Sequence, residues 1–190
     1  MQWLNSSARY GIGTTMLHWL ILLLFVAVYA SIELREFFPR GSDPREALKT
    51  WHFMLGLCLL LAIGPRLWFM FHGRFPAIQP QPPRWQKLLA RTMHLMLYTL
   101  MIVMPLSGWL LLSAEAKAIP FFGLQLPALI AESKSLAALL KQFHETIEIA
   151  GYFLLGLHSA AALYHHYWLR DNTLRRLSLK GGATATDLPK

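Results

Sequence analysis

The sequence predicts an all-α fold, an integral membrane four-helix bundle, and three observations carry that expectation. Apolar residues make up 55% of the 190-residue chain and charged residues only 15%, against roughly 25% charged in an average soluble domain. The charges avoid four long stretches, each close to the ~20 mostly apolar residues that cross a hydrocarbon core. Most of the eight histidines, His18, His52, His94, His144, His158 and His165 among them, lie in or at those same stretches.

The first stretch, about 12–32, contains no formal charge, and the second, about 51–71, has Arg66 near its far end. The third, about 92–112, is again uncharged, and the fourth, about 147–169, carries only Glu148 close to its start. A Lys or Arg at a span centre costs about 2.5–3.5 kcal/mol, so windows this clean are a specific signal. The first window is longer than the ~7–15-residue core of a signal peptide, and His18-Trp19 interrupts it. It is therefore read as a retained span, despite the cleavage-like Ala27-Val28-Tyr29-Ala30-Ser31.

Orientation follows from Lys and Arg outside the spans and at their ends. Arg9, Arg66, Arg74, Arg84, Lys87, Arg91, Arg170, Arg175, Arg176, Lys180 and Lys190 give 11 on the side of the termini. Arg35, Arg40, Arg45, Lys49, Lys117, Lys134 and Lys141 give 7 on the other. Both termini are expected in the cytoplasm, the chain being multi-pass. A basic rim beside anionic membrane lipid accounts for the net charge of +8 without any nucleic-acid partner.

Outer loops are expected over Glu33–Thr50 and Ala114–Phe143, the latter ending in a short helix begun by Leu136–Lys141. The inner loop Gly73–Trp85 carries Pro76, Pro80, Pro82 and Pro83 and should be extended. Residues 1–177 are expected to form one transmembrane domain, and 178–190 a flexible cytoplasmic tail, small and polar from Lys180 onward. The lone Cys58 excludes an intrachain disulfide and is read as packing.

The histidines carry the chemistry. An ionisable side chain in hydrocarbon is expensive and marks a functional site by default. A single one is often an interhelical hydrogen bond or an interfacial residue, but this many in four spans with almost no acid partners call for more. His144 and His158 are fourteen residues apart, which on a helix is ~40° of rotation and ~21 Å of rise. Span four thus presents two imidazoles on one face at two depths. Gly151 lies midway on that face, where it leaves room for a flat macrocycle or for helix packing. His52 opens span two at the depth of His144, and His18 sits two turns into span one at the depth of His158.

Two histidine pairs on facing helices are what two axially ligated haems require. Zinc fits less well, since structural sites want four convergent ligands. A proton relay normally recruits acids within the spans, where only Glu148 and the boundary Glu145 are on offer. Spacing alone leaves the inner pair open, because His94 and His165 also lie in that half.

Several motifs add to this pattern: His18-Trp19, Lys49-x-x-His52-x-x-x-Gly56 and His94-x-x-x-Tyr98. Span four contributes His144-Glu145, Gly151-Tyr152 and Gly156-Leu157-His158-Ser159-Ala160-Ala161-Ala162-Leu163-Tyr164-His165-His166-Tyr167, followed by Asp171-Asn172-Thr173-Leu174. Over roughly residues 9–177 the chain resembles the bacterial cytochrome b561 family of four-helix di-haem membrane proteins. The resemblance is nearest to those members that take electrons from periplasmic superoxide and reduce ubiquinone. It implies two haem b groups, the outer held by His52 and His144 and the inner by His18 and His158, with His94 a non-ligand. His165, two turns beyond His158, is then the candidate contact for the quinone head group.

Two histidines on each iron disfavour ligand binding and favour outer-sphere electron transfer, with irons ~20 Å apart along span four. A superoxide donor wants a positive outer mouth, and Arg45, Lys49 and Lys141 lie within seven residues of His52 or His144. Glu33, Glu36, Asp43 and Glu46 lie on the same side, so solvated loop charges are the plainer reading. The alternative function is a haem-b subunit linking a separate dehydrogenase or hydrogenase to the quinone pool. A haem-free carrier is a third.

Overall fold

The computed structural model describes residues 2–7 and 9–178. Its elements are α1 (Ile12–Leu34), a 3-10 turn (Arg35–Phe37), α2 (Asp43–His72), α3 (Arg84–Ala114), strands β1 (Ile119–Phe121) and β2 (Leu124–Leu126), α4 (Lys134–Tyr167) and a second 3-10 turn (Arg175–Leu177). All four helices are long and apolar enough to span a membrane, so the all-α membrane class expected from the sequence is the one found. The outward faces agree: Leu23 is 65% exposed, Phe71 75% and Phe153 75%, while Thr14, Thr15, Ser107 and Ser113 are buried. Apolar surface outward suits a solvent that is itself hydrocarbon.

The helices overrun the apolar windows. α2 begins at Asp43, inside the expected outer loop, because Pro44 sits in its first turn with Asp43 and Glu46, residues that suit a helix N-terminus. Its 30 residues make ~45 Å of helix, more than the ~30 Å core needs. α4 likewise runs unbroken from Lys134, so Leu136–Lys141 is the first part of span four and not a separate helix. Ser133 caps it, its hydroxyl accepting from the Leu136 N–H at 3.4 Å. Ala114–Phe143 also contains an antiparallel hairpin, with Ile119 opposite Leu126 and Phe121 opposite Leu124. Phe122 and Gly123, at φ 47° and 85°, make the two-residue turn whose paired positive φ matches strand twist. Between α2 and α3 residues 73–83 are non-helical, as four prolines require. Of the expected tail, 179–190 lie outside the described residues.

The chain divides into two compact units. The terminal unit comprises Met1–Trp19, Gly64–Leu97 and Phe153–Lys190, and the loop unit Leu20–Ile63 and Tyr98–Tyr152. Each therefore takes part of all four helices. In the terminal unit α1 and α2 approach closely at Gly13, where an added Cβ would meet the Phe69 ring. The proline-rich connection is tied down by the segment after α4. There Asn172 accepts from the Gln79 N–H at 2.9 Å and donates its own N–H to the Gln79 carbonyl.

In the loop unit the hairpin covers an apolar cluster of Leu57, Leu112 and Ile119, flanked by Phe53, Trp109, Phe121 and Leu126. Gly151 is filled from within this unit: a Cβ there would collide with the Tyr29 hydroxyl, which donates to the Glu148 carbonyl at 3.2 Å. Its small size serves α1–α4 packing, so the room for a macrocycle expected at Gly151 is taken by a tyrosine.

Candidate functional site

The loop unit brings His52 on α2 and His144 on α4 together, ring centroids 6.3 Å apart with the two ring planes near perpendicular at 74°. His52 Nδ1 is 3.1 Å from the Val28 carbonyl, which can only accept, so that nitrogen carries the hydrogen. His144 Nδ1 is 2.8 Å from Ser107 Oγ, whose own proton goes to the Met104 carbonyl at 2.8 Å. The serine thus accepts from His144. Both rings keep Nε2 as a lone-pair nitrogen, the tautomer a metal ligand needs, with Nδ1–H anchored behind it.

The backbone makes room for this arrangement. Pro105 lies inside α3 and removes one N–H from the ladder, two residues from the Ser107 hydroxyl that serves His144. Gly108 lets α3 come against the His144 ring, where a Cβ would sit 3.4 Å from Cε1. Gly56, one turn beyond His52, faces open space.

The terminal unit holds a second cluster. His18 on α1 and His158 on α4 have ring centroids 6.3 Å apart at 61°. His94 on α3 is nearer His158, at 5.6 Å and 70°. Two imidazoles on opposite sides of one metal, each with a bond of about 2.0 Å and about 1.2 Å from nitrogen to ring centre, stand about 6.4 Å apart. Both 6.3 Å pairs match that spacing, and the His94–His158 pair is too close for it.

His165 belongs to the terminal unit and meets Asp171, Nδ1 to Oδ2 at 2.5 Å, with the Asp171 side chain only 4% exposed. The other carboxylate oxygen accepts from the Thr173 N–H at 2.8 Å. Asp171-Asn172-Thr173 is thus a working unit: one residue orients a histidine and the next holds the proline-rich connection. Sequence reading met it only as part of a motif. Its usable signal was a run of turn-forming polar side chains directly after a helix end.

The three cations expected at an outer mouth differ in their surroundings. Arg45 is 8% exposed. It donates to the carbonyls of Arg35 and Phe38 and to Glu36, each at 2.9 Å, which fastens the α1–α2 connection. Lys49 pairs with Glu46 at 2.8 Å and Lys141 with Glu145 at 3.8 Å. Lys49 and Lys141 each stand three residues before a histidine of the loop-unit pair, one turn away on the same helix face. Arg45→Ala should accordingly cost about 2 kcal/mol of stability, read as a lower thermal midpoint of the detergent-solubilised protein. Lys49→Ala should leave that midpoint within about 0.5 kcal/mol of wild type.

Comparison with known proteins gives a consistent picture. The model of the family described as prokaryotic cytochrome b561 matches residues 9–178. "Cytochrome b561 homolog 1" of Escherichia coli (strain K12) is 37% identical over 169 residues, 89% of this chain and 96% of that protein. "Probable superoxide oxidase CybB" of Yersinia pestis is 37% identical over 164 residues, 86% and 92% of the two chains. "Cytochrome b561 homolog 2" of Escherichia coli (strain K12) is 26% identical over 178 residues, 93% and 95% of the two chains. With four membrane-length helices and opposed histidines on them, the chain belongs to the prokaryotic cytochrome b561 family, bacterial multi-pass membrane proteins that bind b-type haem and transfer electrons.

Proposed function

We propose that the chain carries two haems b, one between His52 and His144 and the other between His18 and His158, and uses them to oxidise superoxide and reduce ubiquinone. The observation that carries the haem assignment is the pair of 6.3 Å imidazole spacings. His52 and His144, and His18 and His158, would hold haem, which would supply one-electron redox chemistry there. The similarity to a probable superoxide oxidase supports the choice of donor.

In this reading Val28 and Ser107 hold the tautomers of His52 and His144, and Lys49 and Lys141 draw the superoxide anion to that end. Arg45, committed to the α1–α2 connection, shapes the mouth and does little of the steering. Asp171 orients His165, whose Nε2 is offered to the quinone head group. The net reaction balances as two superoxide, one quinone and two protons giving two dioxygen and one quinol. Stopped-flow mixing of the purified protein with superoxide, with and without ubiquinone, tests it. Haem reduction is expected, followed by reoxidation only when quinone is present. Failure of superoxide to reduce the haem leaves the chain as an electron-transfer subunit for a separate dehydrogenase or hydrogenase.

The same reading sets residues 1–177 as one domain with both termini in the cytoplasm, on the 11-to-7 excess of Lys and Arg. A reporter that works only in the periplasm should be silent at the carboxyl terminus and active when inserted near Gly123. The opposite pattern reverses the orientation.

A further inference from the structure

Arg66 stands within a membrane-spanning helix, where an unpaired cation is costly and calls for a partner. Its Nη1 donates to the Thr14 carbonyl at 2.6 Å, which leaves other guanidinium N–H groups to be satisfied. It is within electrostatic reach of His18, His94 and His158. α2 contributes no histidine to this cluster and contributes Arg66 in its place. Beside it, the Thr14 hydroxyl is buried and has no hydrogen-bond partner. Thr14 precedes His18 by four residues, so both lie on one face of α1, a single turn apart. Gly13, pressed by the Phe69 ring, holds α1 and α2 close enough for the contact.

What is missing is a carboxylate. Among the described residues of the terminal unit the only acid is Asp171, and its two oxygens are taken by His165 and Thr173. A guanidinium and an orphaned hydroxyl one turn from a haem ligand, with no protein anion to meet them, suit an anion that arrives with the ligand. We propose that Arg66 and Thr14 form a carboxylate site that receives a propionate of the haem between His18 and His158. This rests on the haem assignment made above. Arg66 there acts as a positioning and tuning residue. Its positive charge favours the iron state with one more electron, and so raises that haem's potential. A lipid phosphate is the competing anion, but a headgroup would draw the guanidinium outward and leave the Thr14 hydroxyl unserved.

The test is a potentiometric titration of the full chain with Arg66→Gln, Arg66→Lys and Thr14→Val, together with the resonance Raman propionate bending band. With Arg66→Gln both haems should remain. One of the two midpoints should fall by about a tenfold change in the reduced-to-oxidised ratio, 59 mV for a one-electron couple, and the propionate band of the same haem should move. Arg66→Lys should recover most of the potential, and Thr14→Val should shift it less in the same direction. Unchanged midpoints and an unmoved band in Arg66→Gln overturn the proposal and favour lipid phosphate. If Arg66→Gln does not retain haem, Arg66→Lys and Thr14→Val decide by the band: movement in either supports the site, and none in both overturns it. A wild-type chain with fewer than two haems, or His18→Ala with both retained, defeats the underlying haem assignment instead.

Discussion

His144→Ala is expected to leave one haem per chain in place of the two proposed for the wild type, measured as pyridine haemochrome per polypeptide. The loss should be complete for that haem and absent for the other, since the second imidazole pair belongs to a different unit with its own helix contacts. His52→Ala should do the same, and His18→Ala and His158→Ala should remove the other haem. Ser107→Ala should be milder. Losing the acceptor behind a metal-bound imidazole typically weakens binding about 10–100-fold, so that haem should become easier to extract without vanishing. His94→Ala should retain both haems, because the 5.6 Å spacing to His158 is too short for an axial pair. If His94→Ala removes a haem that His18→Ala keeps, the ligand assignment is wrong.

The reach of the sequence differs between helices and connections for a physical reason. Spans are legible because the bilayer imposes one strong rule on every residue of a long window: Leu20 to Val28 or Met96 to Val103 can hardly be anything else. The same rule stops at the membrane surface, so the first turns of α2 from Asp43 fall in an expected loop, and those of α4 from Lys134 are foreshadowed only by the short helix expected at Leu136–Lys141. There local signals govern, Pro44 and Ser133 among them, and each is weak taken alone. The hairpin was missed because it depends on positive φ at Phe122, which no side-chain pattern advertises, beside Gly123, which could serve many turns.

At the candidate site, spacing along one helix was readable, and the fourteen-residue interval from His144 to His158 needs only helix geometry. Across helices, depth matched His52 to His144 but left the partner of His158 open. Whether His18 or His94 opposes His158 at an axial distance depends on helix rotation, which the apolar pattern of a lipid-facing helix constrains loosely. The hydrogen bonds behind His52 and His144 come from a main-chain carbonyl and a serine that the sequence gives no reason to single out. Arg45 teaches the converse. A cation close in sequence to a ligand can be turned entirely to fastening a loop, and only its three acceptors reveal it.

Raising ionic strength from 0.05 to 0.5 M is expected to slow haem reduction by superoxide several-fold while leaving reduction by an uncharged reductant unchanged, because fixed charges steer an anion only within a Debye length, ~8 Å at physiological salt. The motivating geometry is the repeated arrangement on α2 and α4, Lys49 one turn before His52 and Lys141 one turn before His144. Both lysines pair with glutamates on their own helices, but the 3.8 Å contact of Lys141 is loose, and its side chain is 62% exposed. Exposed pairs of this kind hold by at most about 1 kcal/mol, so an arriving anion can compete for the ammonium groups. Lys49→Gln with Lys141→Gln should slow the superoxide step about tenfold, at the low end of what steering commonly supplies, and should flatten the salt dependence. Quinol-driven reduction should be untouched by that pair. His165→Ala should reverse the pattern, sparing the superoxide step and impairing exchange with quinone, and Asp171→Asn should follow it in weaker form by releasing His165 Nδ1. A superoxide rate that ignores salt, ignores both lysines and does not exceed that of a neutral reductant would remove superoxide as the donor and leave the quinone end to be tested with a protein partner.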